Sequence, residues 1–313
     1  MNEFDYVRIR EDLYPAFAKL FRSSFNMNIR LEQIQKKFDT CYTGALHQGY
    51  FAIDKQTGNF AAFYGVFPMI AQFGNDRVLC AQSGDTMTHP NYRGKGLFIK
   101  LAKMTYDLCR DENIHFVFGF PNKNSYPGFV NKLKWIHYGD MKQYVIDSGF
   151  PFPTEKVIKR LHLEPLMNAF IEKKIPVTHA IKFENSIRIT DPGYGFIPHD
   201  QQFINYKTYN KNFFYTLPSG VSINFRLDGN FWLGDISDWK KVNFDLTLNE
   251  IKQFARSMFV KYIYINVHSN TTADAILSEL LTCRTTFPVG GINLTNKYDL
   301  TKMRFTSMDF DTY

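Results

Sequence analysis

The sequence predicts a mixed α/β (α+β) fold: a largely antiparallel sheet with a parallel strand pair at its centre, followed by a second domain of the same element order. Two observations lead there. Residues 49–88 hold three strand-like segments that reverse at KQTGN and FGND, after which a glycine-rich turn opens an amphipathic helix and a nearly continuous apolar strand follows. Beyond residue 176 the succession strand, strand, helix, strand, helix, strand, strand recurs.

The elements follow in order. Residues 11–23 read as a helix, with Leu13, Phe17, Leu20 and Phe21 on one face and Glu11 and Asp12 in the first turn, where the dipole favours acids. A short helix over 30–38 presents Leu31, Ile34 and Phe38. Strands are expected at 49–54, 60–72 and 77–88. Residues 95–110 form the strongest helical pattern, with Leu97, Leu101, Met104 and Leu108 on one stripe. IHFVFGF (114–120) reads as a strand buried on both faces, 125–133 as a short helix, and 135–146 as two closing strands.

Gly149, Pro151 and Pro153 mark a boundary between a domain of residues 1–150 and one of 151–313. Residues 154–174 read as helical, and 220–227 with 230–237 as a hairpin. A helix over 248–259 is opened by Thr247 and Glu250 at capping-box spacing, and one over 272–281 by Thr271 and Asp274. A strand at 262–269 lies between them, and FPVGGINL and KMRFTSMDF close the chain as strands.

The turn itself is THPNYRGKGLFIK, residues 88–100. Gly94 and Gly96 let backbone N–H groups at a helix start approach an anion, while Arg93 and Lys95 add positive charge at the rim. It is neither a GxxxxGK[ST] phosphate loop nor a GxGxxG dinucleotide turn.

With these residues in view, the segment from Asp85 to Tyr144 resembles the GNAT superfamily of acyl-CoA-dependent N-acetyltransferases, through an R-x-x-G-x-G/A-type loop after a strand ending in V-x-P-x-Y; here it reads Thr88-His89-Pro90-Asn91-Tyr92-Arg93-Gly94-Lys95-Gly96-Leu97-Phe98. The resemblance covers about residues 1–146. It implies that Arg93, Gly94, Lys95, Gly96, Leu97 and Phe98 hold the coenzyme A pyrophosphate. Met87 and Thr88 would pair with the pantetheine arm, with Asn122 and Ser125 at the mouth of the wedge. The second domain would be a GNAT-like copy lacking the glycine loop, so that one acetyl-CoA binds per chain. Its Tyr215, Phe231 and Trp232 are candidates for a wall of the acceptor pocket, or for core.

The chain departs from the family pattern at two places. Phe98 stands where Gly or Ala is usual, so its ring must turn into the core. Val130 stands where the family carries the tyrosine that protonates the leaving thiolate; Tyr126, four residues earlier, is the substitute. Asp85 is the candidate general base, with a bulge or turn in SGDT as its structural alternative. His89, beside Pro90, is assigned a structural role.

The implied reaction is transfer of an acetyl group from acetyl-CoA to a primary amine. An amino sugar is the favoured acceptor, with an amino acid or peptide amine, or an acyl-CoA-binding module without catalysis, as alternatives. The net charge of +7 suits anionic partners. No basic run interleaved with aromatics suggests nucleic acid, and no apolar run approaches a membrane span. Cys41, Cys80, Cys109 and Cys283 are scattered without a CxxC pair, so no metal is expected and a reducing, cytoplasmic setting is. The oligomeric state is left open.

Overall fold

Alternation along the first strands decides what each face buries. A computed structural model of the chain describes residues 3–175, 193–227, 230–237 and 243–313. The chain divides into two units, the first comprising Met1–Tyr138, Gln202–Asn210 and Pro288–Met303, the second Gly139–Gln201, Lys211–Phe287 and Arg304–Tyr313.

In the first unit the sheet order is β1 (Phe4–Arg8), β2 (Gly49–Asp54), β3 (Phe60–Phe73), β4 (Asp76–Thr88), β5 (Phe116–Gly119), then the closing residues of β12 (Cys283–Asn293). Strands β1 to β4 pair antiparallel in sequence. On one face Phe51, Phe63, Phe67 and Met87 pack with Phe17, Ile34 and Phe38 of helices α1 (Tyr14–Phe25) and α2 (Leu31–Phe38). Their sequence neighbours Ala52, Ala62, Tyr64 and Val66 take the other face, under Leu97, Leu101, Ala102 and Cys109 of α3 (Leu97–Asp111). The two-residue period of a strand produces this division. Phe17 is fully buried against the rings of Phe21, Phe38, Phe51 and Phe63, a site where truncation to alanine costs about 3–5 kcal/mol.

The parallel pair at the centre is short. β4 and β5 register only at Ala81–Val117 and Gln82–Phe118. β4 then continues along β3 to Thr88, whereas β5 ends at Gly119, so the two strands open into a wedge. On its other edge β5 pairs antiparallel with Gly290–Asn293 of β12.

The second unit orders its strands β6 (Ile136–Asp147), β11 (Tyr262–His268), β10 (Phe231–Ile236), β9 (Ser222–Leu227) and β8 (Phe213–Thr216); a two-residue strand, β7 (Gly195–Phe196), lies between β6 and β8 in the chain. Here β10 and β11 form the parallel pair, from Phe231–Ile263 to Leu233–Ile265, and Met141–Asp147 of β6 lies antiparallel on β11. Phe225, Phe231, Ile251 and Phe254 centre its core, with Ile251 and Phe254 supplied by α7 (Phe244–Ser257). α8 (Thr272–Leu280) covers β11 with Ala273 and Leu277, opened as expected by Thr271, whose hydroxyl accepts the Asp274 N–H.

Several expected elements differ. β1 is additional, and residues 135–146 make one strand rather than two. Residues 154–174 break into α4 (Thr154–Arg160) and α5 (Glu164–Lys174), because His162 between them takes a left-handed φ of 54°. α7 starts at Phe244, since Asn243 rather than Thr247 caps it: Asn243 Oδ1 accepts the Leu246 N–H at 3.2 Å, which leaves Thr247 buried inside the helix. KMRFTSMDF is not a strand but two tight turns, the second closed by Asp309, whose carboxylate accepts the Thr306 N–H at 2.7 Å.

Candidate active site

The glycine loop ends β4 and begins α3 as its composition requires. Gly94 and Gly96 hold left-handed φ of 80° and 72°, conformations that favour glycine, and Gly96 is the residue before the first helical turn. Among the described residues no side chain caps that turn, and the first N–H groups of a helix have no partner within it. A Cβ at either glycine would meet open space, so the backbone angle rather than crowding selects glycine here. Leu97 is buried under the sheet, while Arg93, Gly94, Lys95 and Gly96 are exposed. Lys95 forms an ion pair with Glu3 and lies over the rings of Phe4 and Tyr92. The Phe98 ring turns inward, 5.1 Å from Phe129 and 5.9 Å from Tyr64.

The wedge begins at Ser83, one residue past the last parallel pair at Gln82. Met87 and Thr88 pair with Phe63 and Ala62 on β3, and their opposite edge faces the space that β5 has vacated. Between them and Gly84 the register slips: Gly65 faces Gly84 and Phe63 faces Met87, so Asp85 and Thr86 together stand opposite Tyr64. Asp85 takes the strained position of this bulge, at φ 49°. Its carboxylate meets Lys37 Nζ at 2.7 Å, with both side chains nearly enclosed (10% and 7% exposed). Lys37 also lies 4.6 Å from the centre of the Phe67 ring. A buried charge is tolerable only when paired, so each member of this ion pair fixes the other.

Two side chains at the vertex carry polar groups into the interior. Gln82 is fully buried, and among the described residues neither its Oε1 nor its Nε2 has a hydrogen-bond partner. Ser83 points to the opposite face, where its hydroxyl donates to Tyr64 Oη at 2.9 Å. Tyr64 Oη and Tyr106 Oη lie 3.1 Å apart, and Trp135 Nε1–H donates to Tyr106 Oη at 2.8 Å. Burial pushes both phenols well above the ordinary tyrosine range, so they stay neutral.

Across the wedge, Asn122 Oδ1 accepts the N–H groups of Asn124 (2.9 Å) and Ser125 (3.1 Å), and the Ser125 hydroxyl turns back to Asn122. These residues set the start of the next helical turn, which includes Tyr126 and widens over Gly128–Lys132 to bonds five residues apart. Tyr126 Oη lies 3.0 Å from His137 Nδ1 on β6. His89 Nδ1 accepts the Asn91 N–H and caps the turn at Pro90–Tyr92, the structural role assigned to it. In the second unit Phe231 stacks on Phe225 and Tyr215 on Phe254, while Trp232 meets Tyr264 at a tilt.

The sequence reading did not single out Lys37, Gln82, Ser83, Tyr64 or Tyr106. For Lys37 a signal exists: it falls between Ile34 and Phe38 at i, i+3, i+4, on the buried stripe of α2, where a lysine needs a partner. The others are contacts across the sheet that no local pattern encodes. Among the described residues no group of three His, Cys, Asp or Glu side chains gathers as a metal site, and no helix is long and apolar enough to cross a membrane.

Residues 5–137 match the family model of the acetyltransferase (GNAT) domain. No curated protein matches the sequence. Among solved structures, the chain is similar to a conserved protein of unknown function from Enterococcus faecalis V583 (TM-score 0.63, 14% identity, 93% of this chain and 73% of that one). It is also similar to a GCN5-related N-acetyltransferase from Anabaena variabilis ATCC 29413 (TM-score 0.59, 15% identity, 93% and 73%). A third likeness is to a GCN5-related N-acetyltransferase from Kribbella flavida (TM-score 0.58, 11% identity, 92% and 70%). Identities this low speak to the fold, and the family match speaks to the domain that holds the loop and the wedge. The family match thus gives residues 5–137, the part of the chain that holds the loop and the wedge, as an acetyltransferase (GNAT) domain.

Proposed function

We propose that the first unit binds acetyl-CoA and transfers its acetyl group to a primary amine on a small acceptor, with amino sugars, free or nucleotide-linked, as the class to test first. One observation carries this reading: an uncapped helix start with two left-handed glycines stands at the end of a strand whose parallel pairing has just stopped. The loop residues Arg93 to Phe98 offer N–H groups to a pyrophosphate. The free edge of Met87 and Thr88 offers main-chain donors and acceptors to the amide groups of pantetheine, as an added strand would use them. The same open N–H groups suit the oxyanion of the tetrahedral adduct. Asp85, oriented by Lys37, is proposed as the base for the acceptor amine, and Asn122 and Ser125 shape the mouth.

We also propose a single coenzyme A per chain. In the second unit the chain's own last residues bond to the parallel strands and their continuation. Ser307 Oγ accepts the Asn266 N–H at 3.0 Å, and Tyr313 Oη donates to the Trp232 carbonyl at 3.1 Å. A Cβ on Gly234 would collide with Tyr313 and Asn224.

Calorimetry with coenzyme A tests the site. A panel of UDP- and dTDP-linked amino sugars, amino acids and polyamines, with released thiol as readout, tests the acceptor. Turnover confined to polyamines or amino acids would replace the sugar assignment, and a stoichiometry of two would show the second unit to be a working copy.

A further inference from the structure

The hydroxyl chain from Ser83 to Trp135 has a property that packing alone does not require. Trp135 Nε1 can only donate, so that end of the chain is fixed. With Ser83 donating to Tyr64, and Tyr64 to Tyr106, the Tyr106 oxygen receives two hydrogens and its own proton has no acceptor within the chain. Reversed, Trp135 donates to Tyr106, Tyr106 to Tyr64, and Tyr64 to Ser83. Every phenol is then satisfied, and the Ser83 proton needs an acceptor outside the chain. Ser83 is the first residue of β4 past its last parallel pair with β5, half-buried at the vertex of the wedge. At the other end, Tyr106 also lines a surface cavity of about 440 Å³ with Lys103, Asp107, Arg110, Lys132 and Lys134.

We propose that Ser83 gives the departing coenzyme A sulfur its proton, and that Tyr64 and Tyr106 relay replacement protons from water in that cavity. The inference rests on the acyltransfer reading above. The carbon–sulfur bond of the tetrahedral adduct breaks with its electron pair on sulfur. Sulfur takes the Ser83 proton, Ser83 takes that of Tyr64, Tyr64 that of Tyr106, and Tyr106 one from water. The count closes with the proton that the amine nitrogen releases when the amide forms. Because the phenols are neutral and return to neutral, they conduct the proton and do not supply it. Val130, where the family carries an acidic tyrosine, makes a second source necessary, and the Tyr126 hydroxyl is already engaged with His137.

The test needs coenzyme A alone at first. The ultraviolet absorbance of its thiolate, followed against pH on the bound complex, gives the thiol pKa. A hydrogen bond from Ser83 to the charged sulfur lowers that pKa, so Ser83→Ala should raise it by about one pH unit, with coenzyme A affinity by calorimetry changed less than about twofold. With an amine acceptor, Ser83→Ala and the nearly isosteric Tyr64→Phe should each lower kcat about 100-fold while leaving KM for acetyl-CoA unchanged. A bound thiol with the same pKa in wild type and Ser83→Ala overturns the relay alone. So does a wild-type kcat in Tyr64→Phe, or a loss of kcat matched by a loss of coenzyme A affinity, which would mark a packing role. A wild-type chain that binds no coenzyme A overturns both the relay and the acyltransfer reading.

Discussion

Gln82 holds a carboxamide in the interior with neither end paired among the described residues. An unmet buried donor and acceptor cost about 1–3 kcal/mol, which an apolar residue of similar shape would recover. Gln82→Met should therefore raise the urea midpoint, by about 1–2 kcal/mol of stability, while weakening coenzyme A binding or turnover. Equal activity with higher stability would show that the amide serves nothing. In the loop, charge and strain separate by substitution, because Asn and Asp both visit the left-handed region. Gly96→Asp should abolish coenzyme A binding in calorimetry and Gly96→Asn should only weaken it. Lys95→Ala should cost little, since that cation is exposed and already paired with Glu3. The glycines were legible in the sequence because a backbone requirement is written in the residue type. The Ser83–Tyr64 and Tyr64–Tyr106 contacts were not, because they join residues 19 and 42 positions apart through the stacking of β3, β4 and α3.

Among elements, those with a strong internal pattern were read correctly and those fixed by a partner were not. α3 declared itself by its stripe and β2 to β4 by alternation and turns. α7 was misplaced because two residues at capping-box spacing, Thr247 and Glu250, lie inside a helix that Asn243 starts earlier. The tie between β6 and α8 shows what such partners contribute. Asp274 accepts from Lys142 Nζ at 2.8 Å and from Tyr144 Oη at 2.5 Å. Burial alone would raise its carboxyl pKa, and these hydrogen bonds more than reverse that, so the group lies below the usual carboxylate range. Its contribution is therefore complete above the unfolded value of 3.8 and is lost as pH falls through the lower folded one. Asp274→Asn should destabilise the protein by about 1.5–3 kcal/mol at neutral pH. The difference from wild type should shrink on acidification below pH 4, as followed by urea melts; a constant difference would assign the loss to packing.

At the scale of the molecule, neither unit is made from one continuous stretch of sequence. Gly290–Asn293 lies beside β5 in the first unit, and Met141–Asp147 lies beside β11 in the second. Residues 202–210 also belong to the first unit, where Tyr206 Oη donates to the Lys37 carbonyl. A fragment of residues 1–150 therefore lacks a strand and a core segment, and should show helical far-ultraviolet dichroism without a near-ultraviolet signal or a cooperative melt. A cooperative melt would show that β5 can stand at an edge. This arrangement also sets a clock during translation. The strand that covers β5 is made about 170 residues after it, so at about 5–20 residues per second the nascent sheet keeps an apolar edge for on the order of ten seconds or more. Chaperone demand should then depend on how fast the ribosome crosses the second half of the message, and synonymous codons that slow it there should lower soluble yield without altering a single residue.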